Sequence, residues 1–348
     1  MTVSTRCWML IPLIITVFAL GAASALAQVP EVAGAEPPGE PEVEAPQEGD
    51  GKDGEKDQVL QARLKLRLRG LTGGRLEAGD RFTVSGTLAP YVKGEKVILI
   101  VRRGTKTIKR KVVKPKRKKG SNFSRFAISQ RQIAPGRYSV QAIHKRSSEL
   151  SFSEDRTKSF KLHYPDLREG QRSSTVGLFN RLLAKLGYVN HERKSFDAAT
   201  GRAVLAFRKV NQLSWTQNAT GAIFKKLAKG KGGYKLRHPG SGKHVEVDLS
   251  RQVMVLAKGD RVKEIYHVSS GAAATPTLTG SWRFYRKEPG YNQKEMYYSV
   301  YWNRGYATHG YKSVPTHPAS HGCVRNPPEY AKHIYDWIDL GDLIHIYR

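Results

Sequence analysis

Two short stretches near the C-terminus hold the residues best suited to chemistry: Ala307-Thr-His-Gly-Tyr311 and Pro318-Ala-Ser-His-Gly-Cys-Val-Arg-Asn326. A thiol becomes an effective nucleophile when a neighbouring base or a helix start favours its thiolate over the free thiol, whose pKa is about 8.5. His309 stands fourteen residues before Cys323, a distance that a strand and a returning loop can close. Gly322 lets the backbone approach a substrate, so the Gly322 and Cys323 amides are candidates for an oxyanion hole. Arg325 has the forked geometry to hold a substrate carboxylate, and equally the charge to pair with a buried acid. His317 shares the loop and reads as a surface residue. No carboxylate joins His309, His317 and His321 at ligand spacing, so no metal is expected, and no cofactor either.

The elements that must position these residues follow from patterning. After the thiol, Asn326 reads as an N-cap, Pro327 as the first helical residue and Glu329 as the third. The helix carries Tyr330, Ile334, Trp337 and Ile338 towards Gly341, and its positive end favours a nearby thiolate. Upstream, Val245, Val247 and Leu249 alternate, and Val253–Leu256 and Val262–Val268 flank the hairpin signal Lys258-Gly259-Asp260. Trp282, Phe284, Tyr285, Tyr291, Tyr297, Tyr298, Tyr301, Trp302 and Tyr306 read mostly as strand core, with one or two free to line a groove.

His-Gly followed after ten residues by Ser-His-Gly-Cys-Val-Arg resembles the signature of L,D-transpeptidases with a YkuD-type catalytic domain. The resemblance spans residues 242–348, with Thr275-Pro-Thr-Leu-Thr-Gly280 in family order. It implies Cys323 as the acylated nucleophile and His309 as its base and acid. Ser320 and His321 would shape the pocket, with the Gly322 and Cys323 amides at the oxyanion. Gly310 and Arg325, assigned to substrate binding, place the chain with the His-Gly and Cys-x-Arg members. The implied substrate is a peptidoglycan stem peptide: D-alanine leaves a tetrapeptide, a thioester forms, and a second stem's amine takes the acyl group in a 3→3 cross-link. Transfer to water instead would make an L,D-carboxypeptidase, and an idle cysteine would leave a wall-anchoring protein.

The rest of the chain suits a multidomain α+β protein. Arg6, an apolar run from Trp8 to about Leu20 and Ala25-Leu-Ala27 form a secretory signal over 1–27, with an uncleaved anchor as its rival. The expected location is therefore outside the cytoplasm, in cell wall or periplasm, and Cys323 becomes the sole thiol once Cys7 is removed with the signal. Residues 28–57 form an acidic Pro/Glu/Gly-rich linker of net charge −8, whereas 58–348 carry +36. Beyond an export signal, such a basic body points to anionic wall polymers, peptidoglycan carboxylates or lipid head groups rather than nucleic acid. Over 58–164, Leu64, Leu66 and Leu68 alternate with basic residues. Further strand-like runs make about seven strands, an immunoglobulin-like sandwich. Lys114–Lys119 reads as a hairpin tip, open to an anion or simply solvated. Residues 166–229 turn helical, with Val176, Phe179, Leu182, Leu183 and Leu186 along one face. Leu167-Arg-Glu-Gly170, Leu186-Gly-Tyr188, Thr200, Ala203-Val204, Phe207 and Leu227 resemble a three-helix peptidoglycan-binding domain, which implies the fold ahead of glycan binding. A structural helical spacer is the alternative reading.

Overall fold

A computed structural model describes residues 58–348; the expected signal peptide and acidic linker lie outside the described residues. The first strands are β1 (Arg63–Arg69), β2 (Arg75–Glu77), β3 (Arg81–Ala89), β4 (Val97–Arg103) and β5 (Lys106–Val113). They are followed by β6 (Lys116–Arg117), β7 (Ser124–Arg131), β8 (Arg137–His144), β9 (Ser153–Arg156) and β10 (Phe160–His163). One sheet has the order β1-β3-β7-β6 and the other β2-β10-β8-β4-β5, with β9 paired to β8. Phe82, Val84, Leu88, Leu99, Val101 and Val140 are fully buried, while the alternate residues Arg63, Lys65, Arg67 and Arg69 stay exposed. Period-two alternation places the apolar set inside and the basic set outside. Three strands beyond the seven expected are short: β2, β6 and β9 have two to four residues and weak patterns. Their existence depends on a neighbour to pair with, as when β2 runs parallel to β10. The basic run Lys114–Lys119 supplies β6 and the turn before β7.

Three helices follow: α1 (Ser174–Lys185), α2 (Ala198–Val210) and α3 (Gly221–Ala228). Each begins where a side-chain oxygen accepts an otherwise unpaired backbone N–H: Ser173 from Val176 at 3.1 Å, Asp197 from Thr200 at 2.9 Å, Thr220 from Ile223 at 3.4 Å. Each cap is worth about 1 kcal/mol. Gly187, at φ +89°, ends α1 in the left-handed conformation. The buried faces of these helices join one continuous core with the sandwich and with Val253, Val255 and Ile265 downstream.

The C-terminal part contains β11 (Lys243–Asp248), β12 (Val253–Lys258), β13 (Arg261–His267), β14 (Gly280–Arg283), β15 (Arg286–Tyr291) and β16 (Tyr297–Asn303). It ends with β17 (Tyr306–Gly310), β18 (Val324–Asn326), α4 (Pro328–Trp337) and β19 (Leu343–Tyr347). Two sheets result, ordered β13-β12-β11-β19-β14 and β15-β16-β17-β18. Val245, Val247, Met254, Leu256, Val300 and Val324 pack in one core with Ile334 of α4 and Ile338 just after it. The chain is mainly β, with four helices among the described residues. None of those helices is long and apolar enough to cross a membrane.

The helix expected from Pro327 starts one residue later, at Pro328. Asn326 does not cap it: the backbone from Val324 to Asn326 is drawn into parallel pairing with Thr308–Gly310, and Pro327 occupies the cap position without a side-chain hydrogen bond. The Asn326 amide turns inward and donates to Thr308 Oγ1 at 3.2 Å. The strand residues Val324–Asn326 and Pro327 thus lie between Cys323 and the first turn of the helix.

Candidate active site

The β17–β18 pairing closes the fourteen-residue interval. Thr308 lies opposite Val324 and His309 opposite Arg325, so Cys323 stands at the end of the strand beside the one carrying His309. The thiol is half-buried against Met296, Tyr301 and Ala307 and donates to the Gly305 carbonyl at 3.6 Å. Burial pushes its pKa above the ordinary thiol value, opposed by a backbone hydrogen bond with Ala307 and by the charges of Arg325 and Lys294. His309 is buried, and burial lowers its pKa to about 4, with the Arg325 charge acting in the same direction. Its Nδ1 lies 2.9 Å from the Gly310 carbonyl. A carbonyl only accepts, so Nδ1 carries the proton and Nε2 keeps its lone pair. Both shifts act against charge, favouring a neutral imidazole and a protonated thiol.

The loop before Cys323 is fixed by a chain of hydrogen bonds. Ser320 is buried; its hydroxyl donates to the Cys323 carbonyl at 2.5 Å and accepts the Gly322 amide at 3.1 Å. The Ser320 amide donates to the Ser270 carbonyl, and Gln252 holds Ser270 through both its side-chain amide groups, at 2.7 and 2.9 Å. Thr275 donates to the Ser320 carbonyl at 2.9 Å. Thr277 accepts the Gly271 amide and donates to the Gly322 carbonyl, both at 2.8 Å. Gly322 adopts φ +110°, and a Cβ there would sit 2.3 Å from a Tyr306 ring carbon. Only glycine satisfies both constraints.

Some residues singled out above take positions their types did not reveal. The Gly322 amide is occupied by Ser320, whereas the Cys323 amide has no hydrogen-bond partner among the described residues. Gly310 is buried against α4, where a Cβ would lie 2.7 Å from that of Ala331, and its carbonyl orients His309. His321 and His317 are exposed. The Arg325 guanidinium lies 4.2 Å from the centre of the Tyr311 ring and forms no ion pair with an acid among the described residues. The buried-acid alternative for Arg325 is therefore not what the fold builds. Gln252, Ser270 and Thr277 escaped sequence reasoning; the Thr-Pro-Thr run was the one visible signal. Of the aromatic series, Phe284, Tyr301 and Trp302 are core, while Tyr285 and Tyr291 are exposed.

Residues 242–346 match the family model of the L,D-transpeptidase catalytic domain, YkuD. The C-terminal segment belongs to that family. The structure of an L,D-transpeptidase from Xylanimonas cellulosilytica DSM 15894 is 28% identical and aligns over 53% of this chain and 98% of its own, with a TM-score of 0.50. An L,D-transpeptidase (Yku) from Stackebrandtia nassauensis is 23% identical over 53% of this chain and 97% of that one, with a TM-score of 0.33. The catalytic domain of the E. faecium L,D-transpeptidase is 23% identical over 31% and 98%, with a TM-score of 0.28. No curated protein matches the chain. The YkuD domain supports an enzyme acting on peptidoglycan.

Proposed function

We propose that this protein is an exported L,D-transpeptidase that forms 3→3 peptidoglycan cross-links through an acyl-enzyme on Cys323. The observation that supports this best is the neutral His309, oriented by the Gly310 carbonyl on the strand paired with the one after Cys323. The apolar leader and small-residue end at Ala25-Leu-Ala27 support export.

In the proposed reaction, the Cys323 sulfur attacks the carbonyl joining the third stem residue to its terminal D-alanine, and its proton passes to His309 Nε2. The oxyanion develops beside the free Cys323 amide. His309 returns the proton to the departing amine, the C–N bond breaks, and D-alanine leaves a thioester. An amine of a second stem then attacks, His309 takes its proton, and the C–S bond breaks to regenerate the thiol. Two acyl transfers of similar energy replace one amide by another without ATP. Arg325 and exposed His321 flank the thiol in sequence, and the forked guanidinium of Arg325 supports a role in holding a stem carboxylate.

Purified protein incubated with disaccharide-tetrapeptide should gain a disaccharide-tripeptide acyl mass on Cys323 and yield cross-linked dimer, and Cys323→Ala should yield neither. Tripeptide monomer as the sole product would replace cross-linking by hydrolysis. Absence of both adduct and products would overturn the proposal.

A further inference from the structure

The N-terminal sandwich carries a groove of about 800 Å³ whose lining includes Lys65, Arg67, Arg69, Lys114, Lys116 and Arg125 and no acidic residue. All six side chains are exposed. None forms an ion pair among the described residues. The register sets their geometry: Lys65 lies opposite Thr87, Thr87 opposite Arg125, and Arg125 opposite Lys116. Directly paired residues point to the same face, so three cations and a hydroxyl form one rank across four strands. Arg67, opposite Ser85, begins the next. Placing Arg125 directly across from Lys116 costs stability through like-charge repulsion. An anion seated over the rank removes that cost.

The shape selects the kind of anion. Lys65, Arg67 and Arg69 alternate along β1, which spaces their side chains roughly 6.8 Å apart and makes a row of charges rather than a single pocket. A row fits a chain with repeated charge better than one compact ion. A concave groove admits a chain, whereas a bilayer presents a flat surface. Three guanidinium forks match phosphate oxygens. Phe126 is the single aromatic residue in the lining and is buried, so the groove lacks the stacking platforms that single-stranded nucleic acid uses.

We propose that this groove binds a linear polyol-phosphate polymer, its phosphodiesters following the cationic rows on the four-stranded sheet. This would hold the enzyme on an anionic polymer through a surface separate from the Cys323 loop.

The test uses the full chain and purified polyglycerol phosphate free of lipid, with binding followed by calorimetry over a range of salt concentrations. The triple variant Lys65→Gln, Arg67→Gln, Arg125→Gln should bind at least about tenfold more weakly. Its plot of log affinity against log salt should be shallower by about 2, since each phosphate contact contributes roughly 0.7 for a flexible chain. Its melting temperature should hold or rise, which separates lost binding from lost folding. The exposed cations Lys229, Lys231 and Lys263 provide a control, and their replacement by Gln should change affinity less than about twofold. Equal losses in both variants would overturn the groove as the site. Equal affinity for single-stranded polynucleotide or anionic vesicles, with the same sensitivity to the variant, would overturn the polymer as its occupant. Acylation of Cys323 should be unchanged in the triple variant, so failure of the groove and failure of the catalytic proposal remain distinguishable.

Discussion

At the scale of single residues, the site is defined by two ionisations held at neutrality. Burial raises the Cys323 pKa and lowers that of His309 to about 4, so at neutral pH neither group is charged. The arrangement differs from a preformed thiolate–imidazolium pair and suits the proposed role of His309 as a base that acts as the substrate reacts. Alkylation of Cys323 by iodoacetamide should therefore rise about tenfold per pH unit from about pH 6 to 8.5. A plateau below pH 7 would show a standing thiolate and sink this account. His309→Gln should leave that profile nearly unchanged while lowering acylation by tetrapeptide about 10²–10⁴-fold. Ser-His-Gly-Cys marked the proposed nucleophile in the sequence because its residue types are chemically unusual together. The pairing partner of His309 was hidden, because a backbone carbonyl carries no signature in residue type.

At the scale of elements, the nucleophile loop is a hydrogen-bonded extension of the sheets. The buried Thr277 bonds both the Gly271 amide and the Gly322 carbonyl, tying the Thr275–Gly280 segment to the turn that presents Cys323. Thr277→Val keeps the volume and leaves two backbone groups without their partner, a loss of about 1–3 kcal/mol. Urea unfolding should show that loss, and acylation of Cys323 should fall with it. Unchanged stability together with unchanged acylation would show that the turn holds without this bond. Arg63–Arg69, which alternates, and Val253–Lys258, a continuous apolar run, were legible because the first buries one face and the second both. The boundary at Asn326 was misread because the local capping signal lost to strand pairing, which depends on residues fourteen and more positions away.

At the scale of the whole described molecule, α2 reaches into the catalytic part. Its Arg202 pairs with Glu329 of α4, and its Lys209 is buried, 2.9 Å from His267 Nδ1 and 4.6 Å from the Trp215 ring centre. His267 in turn meets the Val314 carbonyl at 3.1 Å, on the segment leading to the Cys323 motif. Burial lowers the Lys209 pKa to about 7, below its unfolded value of about 10.5. Between those values the unfolded chain binds the extra proton, so this group adds stability as pH rises from about 7 to about 10. The unfolding free energy of wild type relative to Lys209→Met should widen in favour of wild type over that window. A constant difference would remove Lys209 from the linkage. The sequence by itself singled out the proposed nucleophile and base and determined the alternating strands and the helical faces, because those are set by residue type and by periods of two and 3.6. Only the tertiary structure decided that Gly310 orients His309, that Gly322 gives up its amide to Ser320, and that six cations line one groove. Those facts arise from which strands become neighbours, and strand neighbours are chosen by the whole fold's burial rather than by any local run of residues.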